Sequence, residues 1–149
     1  MKIFLGADHR GYELKEKVFG FLVERDYDVT DFGAYEYKSA DDYTLYAEKV
    51  ASVVGQGEGV FGILFCGSGV GVDVTANKFD GVRSSVGKSV DQVRAGRNDD
   101  DINILVIAAD YTEEGEVIDM VETFLKTPFS GKPRYKRRLE EIKRIEENN

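Results

Sequence analysis

Residues 60–66 read VFGILFC and residues 67–71 read GSGVG, and this stretch decides the fold class. The first seven residues are nearly all apolar, which is typical of a strand buried on both faces of a parallel sheet. The glycines that follow allow a tight turn, and we expect it to open a helix that runs to about Lys78. The sequence therefore predicts a central buried strand with a glycine-rich turn at its carboxyl end.

On both sides of this stretch, segments of strand length alternate with segments of helical period. The predicted strands are 2–7, 27–32, 60–66, 82–86 and 102–108. The predicted helices are 12–24, 43–54, 67–78, 89–97, 113–126 and a long charged C-terminal helix over 133–147. Five strands alternating with helices predict a three-layer α/β/α fold with a five-stranded parallel sheet. No linker or repeat interrupts the pattern, and we expect one domain over residues 1–149.

Composition excludes several classes of function. The 149 residues carry a formal net charge of −8, whereas binders of nucleic acid or anionic membranes need a basic face. No apolar run approaches the roughly 18–20 residues of a membrane span, and the N-terminus does not resemble a signal peptide. The single cysteine, Cys66, excludes an intrachain disulfide and a cysteine-based zinc site, and it is typical of a cytoplasmic protein. His9 is the only histidine.

Cys66 is the first candidate for chemistry, because parallel sheets bind ligands at the carboxyl ends of their strands. The amides of the glycine turn can point into one concavity and bind a phosphate or a developing oxyanion. The same field predicts a lowered pKa for the Cys66 thiol. The alternative is an inert core thiol. We expect Asp8, His9 and the acidic run after Arg97 to lie at the same edge.

Two further groups have alternatives of their own. Asp8 and His9 could hold a sugar hydroxyl and a phosphate, or Asp8 could cap the first helix while His9 is solvated. Arg134 and Arg138 lie four residues apart and could clamp a phosphate. The alternative is a surface helix with ion pairs such as Arg137–Glu141.

Other familiar motifs are missing. Residues 67–71 match neither the G-x-G-x-x-G dinucleotide fingerprint nor a phosphate P-loop. Asp99, Asp100 and Asp101 form an acidic run without a calcium-loop pattern, which favours an exposed helix end over a metal site.

Six motifs, in this order, resemble the ribose-5-phosphate isomerase B and galactose-6-phosphate isomerase family over nearly the whole chain. They are ADHRG at 7–11, DYTLYA at 42–47, FCGSGVG at 65–71, ANKFDGVR at 76–83, TPF at 127–129 and RYKRR at 134–138. The resemblance implies a flavodoxin- or Rossmann-like sheet and a homodimer or tetramer whose sites are shared between subunits. It also implies cofactor-free, metal-free aldose–ketose isomerisation of a sugar phosphate in the pentose phosphate pathway.

The resemblance also implies roles for particular residues. Cys66 would be the base that moves a proton through a cis-enediolate, and Ser68 would help to hold the enediolate oxygens. The same oxygens would meet the backbone amides of Gly67, Gly69, Val70 and Gly71. Asp8 and Tyr43 would bind hydroxyls and Asn77 would line the pocket. The phosphate would be bound by His9, Arg134 and Arg138, with the arginines reaching over from the neighbouring subunit.

The sequence departs from the family pattern at four positions. Asp99 stands where the family has its ring-opening histidine, and Asp100 stands where it has an asparagine. Asp110 replaces a phosphate-binding arginine, and Tyr135 replaces a histidine. Asp99 stays a candidate acid–base group and Asp100 a candidate substrate ligand, but a carboxylate repels a phosphate.

Three hypotheses follow. The first is a sugar-phosphate isomerase that uses Cys66, with a substrate that could be shifted away from ribose 5-phosphate. The second is a sugar-phosphate-binding protein without catalysis. The third is one subunit of a heteromeric isomerase that needs a paralogous chain.

Overall fold

Strands and helices alternate along the whole computed structural model, which describes residues 1–149. The strands are β1 (Lys2–Ala7), β2 (Val29–Asp31), β3 (Val60–Cys66), β4 (Ser84–Val86) and β5 (Ile104–Ala108). The helices are α1 (Tyr12–Glu24), α2 (Tyr43–Val54), α3 (Val70–Ala76), α4 (Val90–Asp100), α5 (Glu114–Lys126) and α6 (Pro133–Glu147). The predicted alternation is confirmed. Strands β2, β4 and β5 are shorter than predicted, and α4 runs three residues further than 89–97.

The five strands form one parallel sheet in the order β2-β1-β3-β5-β4. This confirms the parallel α/β/α class and gives a Rossmann-like sheet. The order differs from the flavodoxin order 2-1-3-4-5, because β5 lies beside β3 and β4 forms the edge. The chain reverses its direction across the sheet between β1 and β3, and this switch point is where such sheets bind ligands.

The helices cover both faces of the sheet with apolar side chains. One core cluster of 16 buried residues joins β1, β3 and β5 to α1, α4 and α5, and includes Leu22, Phe65 and Phe124. A second cluster of 11 buried residues lies under α2 and α3 on the other face, and includes Cys66. Cys66, the first candidate for chemistry, therefore ends a strand that is packed on both faces.

Helix α6 is different, because only Tyr135 among its residues is buried. It begins at Pro133, at a position where the missing N–H of proline would have no partner within the helix. Near its end, Glu146 accepts a hydrogen bond from the Gly81 amide at 3.1 Å. At 15 residues it is the longest helix, and no helix is both long and apolar enough to cross a membrane.

Candidate active site

Asp8 and Cys66 meet at the switch point between β1 and β3. The register pairs Ala7 with Phe65, so the next residue of each strand lies side by side at the carboxyl edge. The Cys66 thiol donates a hydrogen bond to Asp8 Oδ2, with the two atoms 3.3 Å apart. Both residues are buried. The predicted proximity of the Asp8 and Cys66 motifs is thus present within one chain.

The other oxygen of Asp8 organises the turn that leads into α1. Asp8 Oδ1 accepts the amide hydrogens of Arg10, at 3.0 Å, and Gly11, at 3.1 Å. Gly11 is itself the N-cap of α1, so Asp8 closes the preceding turn and does not cap the first helical turn. A Cβ on Gly11 would lie 2.5 Å from the carbonyl carbon and oxygen of Phe65, which only glycine avoids. The carboxylate is therefore held rigidly beside the thiol.

The glycine turn wraps around the sulfur of Cys66. The backbone N–H groups of Gly67 and Gly69 act on the sulfur by lowering its pKa, and Gly69 has a φ of 77°, which favours glycine. Ser68 is exposed and its hydroxyl accepts a hydrogen bond from the Val70 amide at 3.3 Å. The turn thus presents several donors at one point, as an oxyanion site requires.

The prediction of an acidified thiol is wrong for this chain. Burial raises the pKa of Cys66 to about 11, and the charge of Asp8 and its hydrogen bond act in the same direction. The amides of Gly67 and Gly69 lower the pKa, but their effect is smaller. The resting site therefore holds a neutral thiol next to a carboxylate.

His9 is bound by Asp41, a residue that the sequence analysis did not single out. One oxygen, Asp41 Oδ1, lies 3.1 Å from the His9 amide nitrogen and 2.8 Å from ring atom Nδ1. The ring also packs edge-on against Tyr37. His9 is therefore a fixed side chain and not a freely solvated one.

Arg10 and Asp110 form an ion pair beside the glycine turn. The Arg10 guanidinium lies against Gly67, where a Cβ would come within 2.2 Å of its central carbon. The Asp110 amide donates to the Gly67 carbonyl at 3.0 Å, because Ala108 pairs with Cys66 and leads the chain past the turn. Asp110 is thus adjacent to the glycine turn of residues 67–71, called the nest below, and its carboxylate neutralises the charge of Arg10 there.

Two other candidates lie on the helices that flank the turn. The ring of the partly exposed Tyr43 covers Gly71, where a Cβ would lie 2.6 Å from the ring. Asn77 lies beyond the far end of α3, and its amide makes two hydrogen bonds to the backbone of Ser84 at the start of β4. Within one chain Asn77 fastens α3 to β4, and it lies away from Cys66.

The remaining candidates lie at the opposite edge of the sheet, where strands begin. Helix α4 starts after β4 and returns to the start of β5, so Asp99 and Asp100 at its C-terminus are carried away from Cys66. The prediction that this acidic run shares the carboxyl edge is wrong for that reason. Arg134 and Arg138 begin α6 at this same edge, since α5 has also returned there.

Tyr135 organises these two arginines. Its ring lies 4.8 Å from the Arg134 guanidinium and 5.8 Å from that of Arg138, and its hydroxyl accepts a hydrogen bond from Arg134 at 2.9 Å. That hydrogen bond, and more weakly Asp99, raise the pKa of Arg134. Arg137 and Glu141 form no ion pair, so the structure does not form the surface ladder considered as an alternative.

The last aspartate of the acidic run has a structural role. Asp101 adopts a φ of 48° at the end of α4 and pairs with Arg83 at 3.1 Å and Arg97 at 2.7 Å. A cavity of about 460 Å³ lies nearby at this edge, between α6 and the α3–β4 connection. Asn77 and Asp100 line it.

Comparison with known proteins gives consistent relatives. The sequence model described as Ribose/Galactose Isomerase matches residues 3–142. Ribose-5-phosphate isomerase B of Escherichia coli is 36% identical over 146 residues, which is 98% of this chain and 97% of that protein. The crystal structure of ribose-5-phosphate isomerase B from Mycoplasma genitalium with bound ribulose-5-phosphate superposes with a TM-score of 0.95 at 34% identity. That match covers 99% of this chain and 97% of the other. The structure of the Clostridium thermocellum ribose-5-phosphate isomerase B gives 0.94 at 38% identity, covering 99% of each chain.

Proposed function

Since the chain belongs to the ribose/galactose isomerase family, we propose that Cys66 is the base that moves a proton between C1 and C2 of a sugar phosphate. The chain is an aldose–ketose isomerase of the ribose-5-phosphate isomerase B type, an activity of the pentose phosphate pathway. The observation that supports the role of Cys66 is its thiol, buried 3.3 Å from a carboxylate and under the Gly67 and Gly69 amides.

The neutral thiol needs a proton acceptor before it can act as a base. Asp8 Oδ2 already accepts its hydrogen bond, so the S–H proton passes to Asp8 and leaves a thiolate. The thiolate takes the proton from C2 of the aldose; the C–H electron pair forms the C1=C2 double bond, and the carbonyl pair moves onto O1 to give the enediolate. A proton passes from O2 to O1, the sulfur gives a proton back to C1, and the O2 electron pair forms the new C2=O carbonyl. The sulfur-bound proton exchanges with solvent while the enediolate exists, so some deuterium from solvent enters at C1, and Asp8 finally returns its proton to the sulfur.

The developing oxyanion is stabilised by the glycine turn. Donors fixed at this position lower the barrier because they need no reorganisation as charge develops. The amides of Gly67, Gly69, Val70 and Gly71, with the Ser68 hydroxyl, are the donors assigned here. Tyr43 binds a sugar hydroxyl above Gly71.

The phosphate is bound by a second chain in this proposal. Arg134 and Arg138 lie at the opposite edge of the sheet from Cys66, so one chain does not bring them to its own thiol. Exposed apolar side chains flank the nest at the starts of α2 and α3, including Leu45, Val70 and Val74. Such a patch is typical of an interaction surface. We therefore propose a homodimer, alone or paired into a tetramer, in which each site combines Cys66 of one subunit with the arginines of the other.

The activity is tested with the purified chain on a panel of pentose and hexose phosphates, with deuterium uptake from solvent as a second measurement. Turnover that is lost in Cys66→Ser supports the mechanism. Saturable binding without turnover or deuterium uptake would instead identify a binding protein. Activity that appears only with a paralogous chain would identify a heteromeric enzyme.

The shared site has a test of its own. Cys66→Ala and Arg138→Ala are each inactive in this proposal, but a mixed dimer has one site with both native residues. Random pairing of equal amounts makes half of the dimers mixed, so about a quarter of the wild-type activity should return. The isomerase activity is measured after equal amounts of the two variants have been mixed, unfolded and refolded together. No recovery would refute a site shared between two subunits.

The cellular location that we propose is the cytoplasm, because a base that must stay a free thiol suits a reducing compartment.

A further inference from the structure

The contact between His9 and Asp41 gives the carboxylate a role that the family resemblance does not assign. The two residues are 32 positions apart, and a single oxygen accepts hydrogen bonds from both the backbone and the ring of His9. The Asp41 side chain is only 6% exposed. Its second oxygen, Oδ2, is buried and meets no hydrogen-bond donor in good geometry.

An incompletely paired buried carboxylate lowers stability, since an unsatisfied buried oxygen costs about 1–3 kcal/mol. Asp41 is therefore poorly explained as a stabilising residue. It lies beside the proposed chemistry: one ligand-type atom from each of Asp8, His9 and Asp41 falls within 4.8 Å of the others. Asp8 in turn contacts the Cys66 thiol.

We propose that Asp41 is a positioning residue that fixes the orientation and tautomer of His9. A carboxylate oxygen only accepts, so Nδ1 must carry a hydrogen, and Nε2 on the other side of the ring is left to meet the substrate. Nε2 then accepts from a sugar hydroxyl when the ring is neutral and donates to an anionic oxygen when it is charged. This assignment rests on the proposed function only for the identity of the group that Nε2 meets.

Several groups face the ring and share its electrostatic environment. Asp41 and Asp8 are the carboxylates, and Tyr37 packs against the ring edge. Burial, then the charge of Asp41, a side-chain hydrogen bond to Asp41 and the charge of Asp8 raise the pKa of Tyr46, so that hydroxyl stays neutral and is a further neighbour of the Asp41 carboxylate. Asp41 is the one group that contacts ring atom Nδ1.

The chain offers a direct measurement because His9 is its only histidine. A long-range proton–nitrogen NMR spectrum of the full-length protein contains one imidazole and needs no assignment. At a pH where the ring is neutral, we expect the tautomer with hydrogen on Nδ1. Asp41→Ala should shift the ring towards the Nε2–H tautomer, and Asp41→Asn, which keeps a carbonyl acceptor, should largely preserve the original one.

Kinetics on the same proteins test whether the orientation matters for the substrate. Asp41→Ala should raise KM about tenfold with a smaller change in kcat, as expected for losing one oriented hydrogen bond to a charged group. Asp42→Asn is the matched control, because Asp42 makes no side-chain capping bond and its loss removes the same charge one residue away. It should leave both the tautomer and KM unchanged.

Three results would overturn the proposal. An Nε2–H tautomer in the wild type would contradict the geometry, and an unchanged KM in Asp41→Ala would remove the link to substrate. Saturable loss of the Nδ1 hydrogen on titration with ZnCl2 or MnCl2, absent in Asp41→Ala, would make these side chains metal ligands instead. A folded protein with the expected tautomer and no isomerase activity would contradict the proposed function and leave the positioning of His9 intact.

Discussion

Replacing Asp8 by asparagine should make the Cys66 thiol more acidic and the enzyme slower at the same time. The charge of Asp8 and its hydrogen bond both raise the pKa of Cys66, so removing them lowers that pKa. The same change removes the acceptor for the thiol proton. A mechanism that depended only on the amount of thiolate in the resting enzyme would predict faster turnover.

The magnitudes are large enough to measure. The pKa of Cys66 is raised from 9.0 to about 11, so the thiolate fraction at pH 7.5 is about a hundredfold lower than for an unperturbed thiol. Burial is the largest cause and remains in the variant, so we expect Asp8→Asn to lower the pKa by of order one unit. The thiolate fraction at pH 7.5 should then rise about tenfold. Loss of general base assistance should lower kcat by about a hundredfold or more.

The assay is a pH titration of the only cysteine, labelled with carbon-13 at Cβ and followed by NMR, with kcat measured on the same samples. Cys66→Ser removes the signal and is the control for other titrations. A wild-type midpoint at or below pH 9 would refute the argument, as would an Asp8→Asn midpoint above that of the wild type. Higher kcat in Asp8→Asn would refute the proton transfer to Asp8.

Three further predictions concern charge, backbone contact and alkaline stability. Asp110→Asn should lower KM for a sugar phosphate about fivefold, since about 1 kcal/mol of repulsion at 4 Å is removed and Arg10 is released. The free energy of unfolding in urea should change by less than about 1 kcal/mol, because the Arg10–Asp110 pair is exposed. An unchanged KM would contradict the predicted repulsion. Gly11→Ala should destabilise the fold by at least about 2 kcal/mol because the new Cβ meets backbone atoms. In the matched variant Gly20→Ala, with open space inside α1, thermal unfolding should show a gain of about 0.5–1 kcal/mol. Because the pKa of Cys66 is higher in the folded state, the neutral thiol should stabilise the folded state below pH 9, and this stabilisation should be lost as the pH rises towards 11. Urea titrations should show a loss of up to about 3 kcal/mol relative to Cys66→Ser.

Periodicity alone was enough for most of the fold. Helices α1, α2 and α6 have the predicted bounds, because each has a continuous apolar stripe or a proline that marks its start. Strands β2 and β4 are shorter than predicted. Both lie at the edges of the sheet, where each strand has a neighbour on one side only.

The site was predictable where adjacent strands determine it. The proximity of Asp8 to Cys66 follows from two neighbouring parallel strands that end in register. The contact of Asp41 with His9 did not follow, because Asp41 lies in a loop whose path depends on many weak contacts. The pKa of Cys66 was predicted with the wrong sign because the amides were visible in the sequence, whereas the burial and the orientation of Asp8 were not.

The start of α6 carries a cluster of cations, and this constrains how subunits could meet. Residues 132–138, KPRYKRR, place five cations at the start of α6 without any acid, although the chain as a whole has a net charge of −8. At the nest edge, His9 and Arg10 are each paired with a carboxylate of the chain itself. A phosphate therefore finds little unpaired positive charge beside Cys66. In a two-fold symmetric dimer the contact made by one subunit is repeated by the other, so two acidic nests would each face a basic helix start. That arrangement supplies each nest with the cations it lacks.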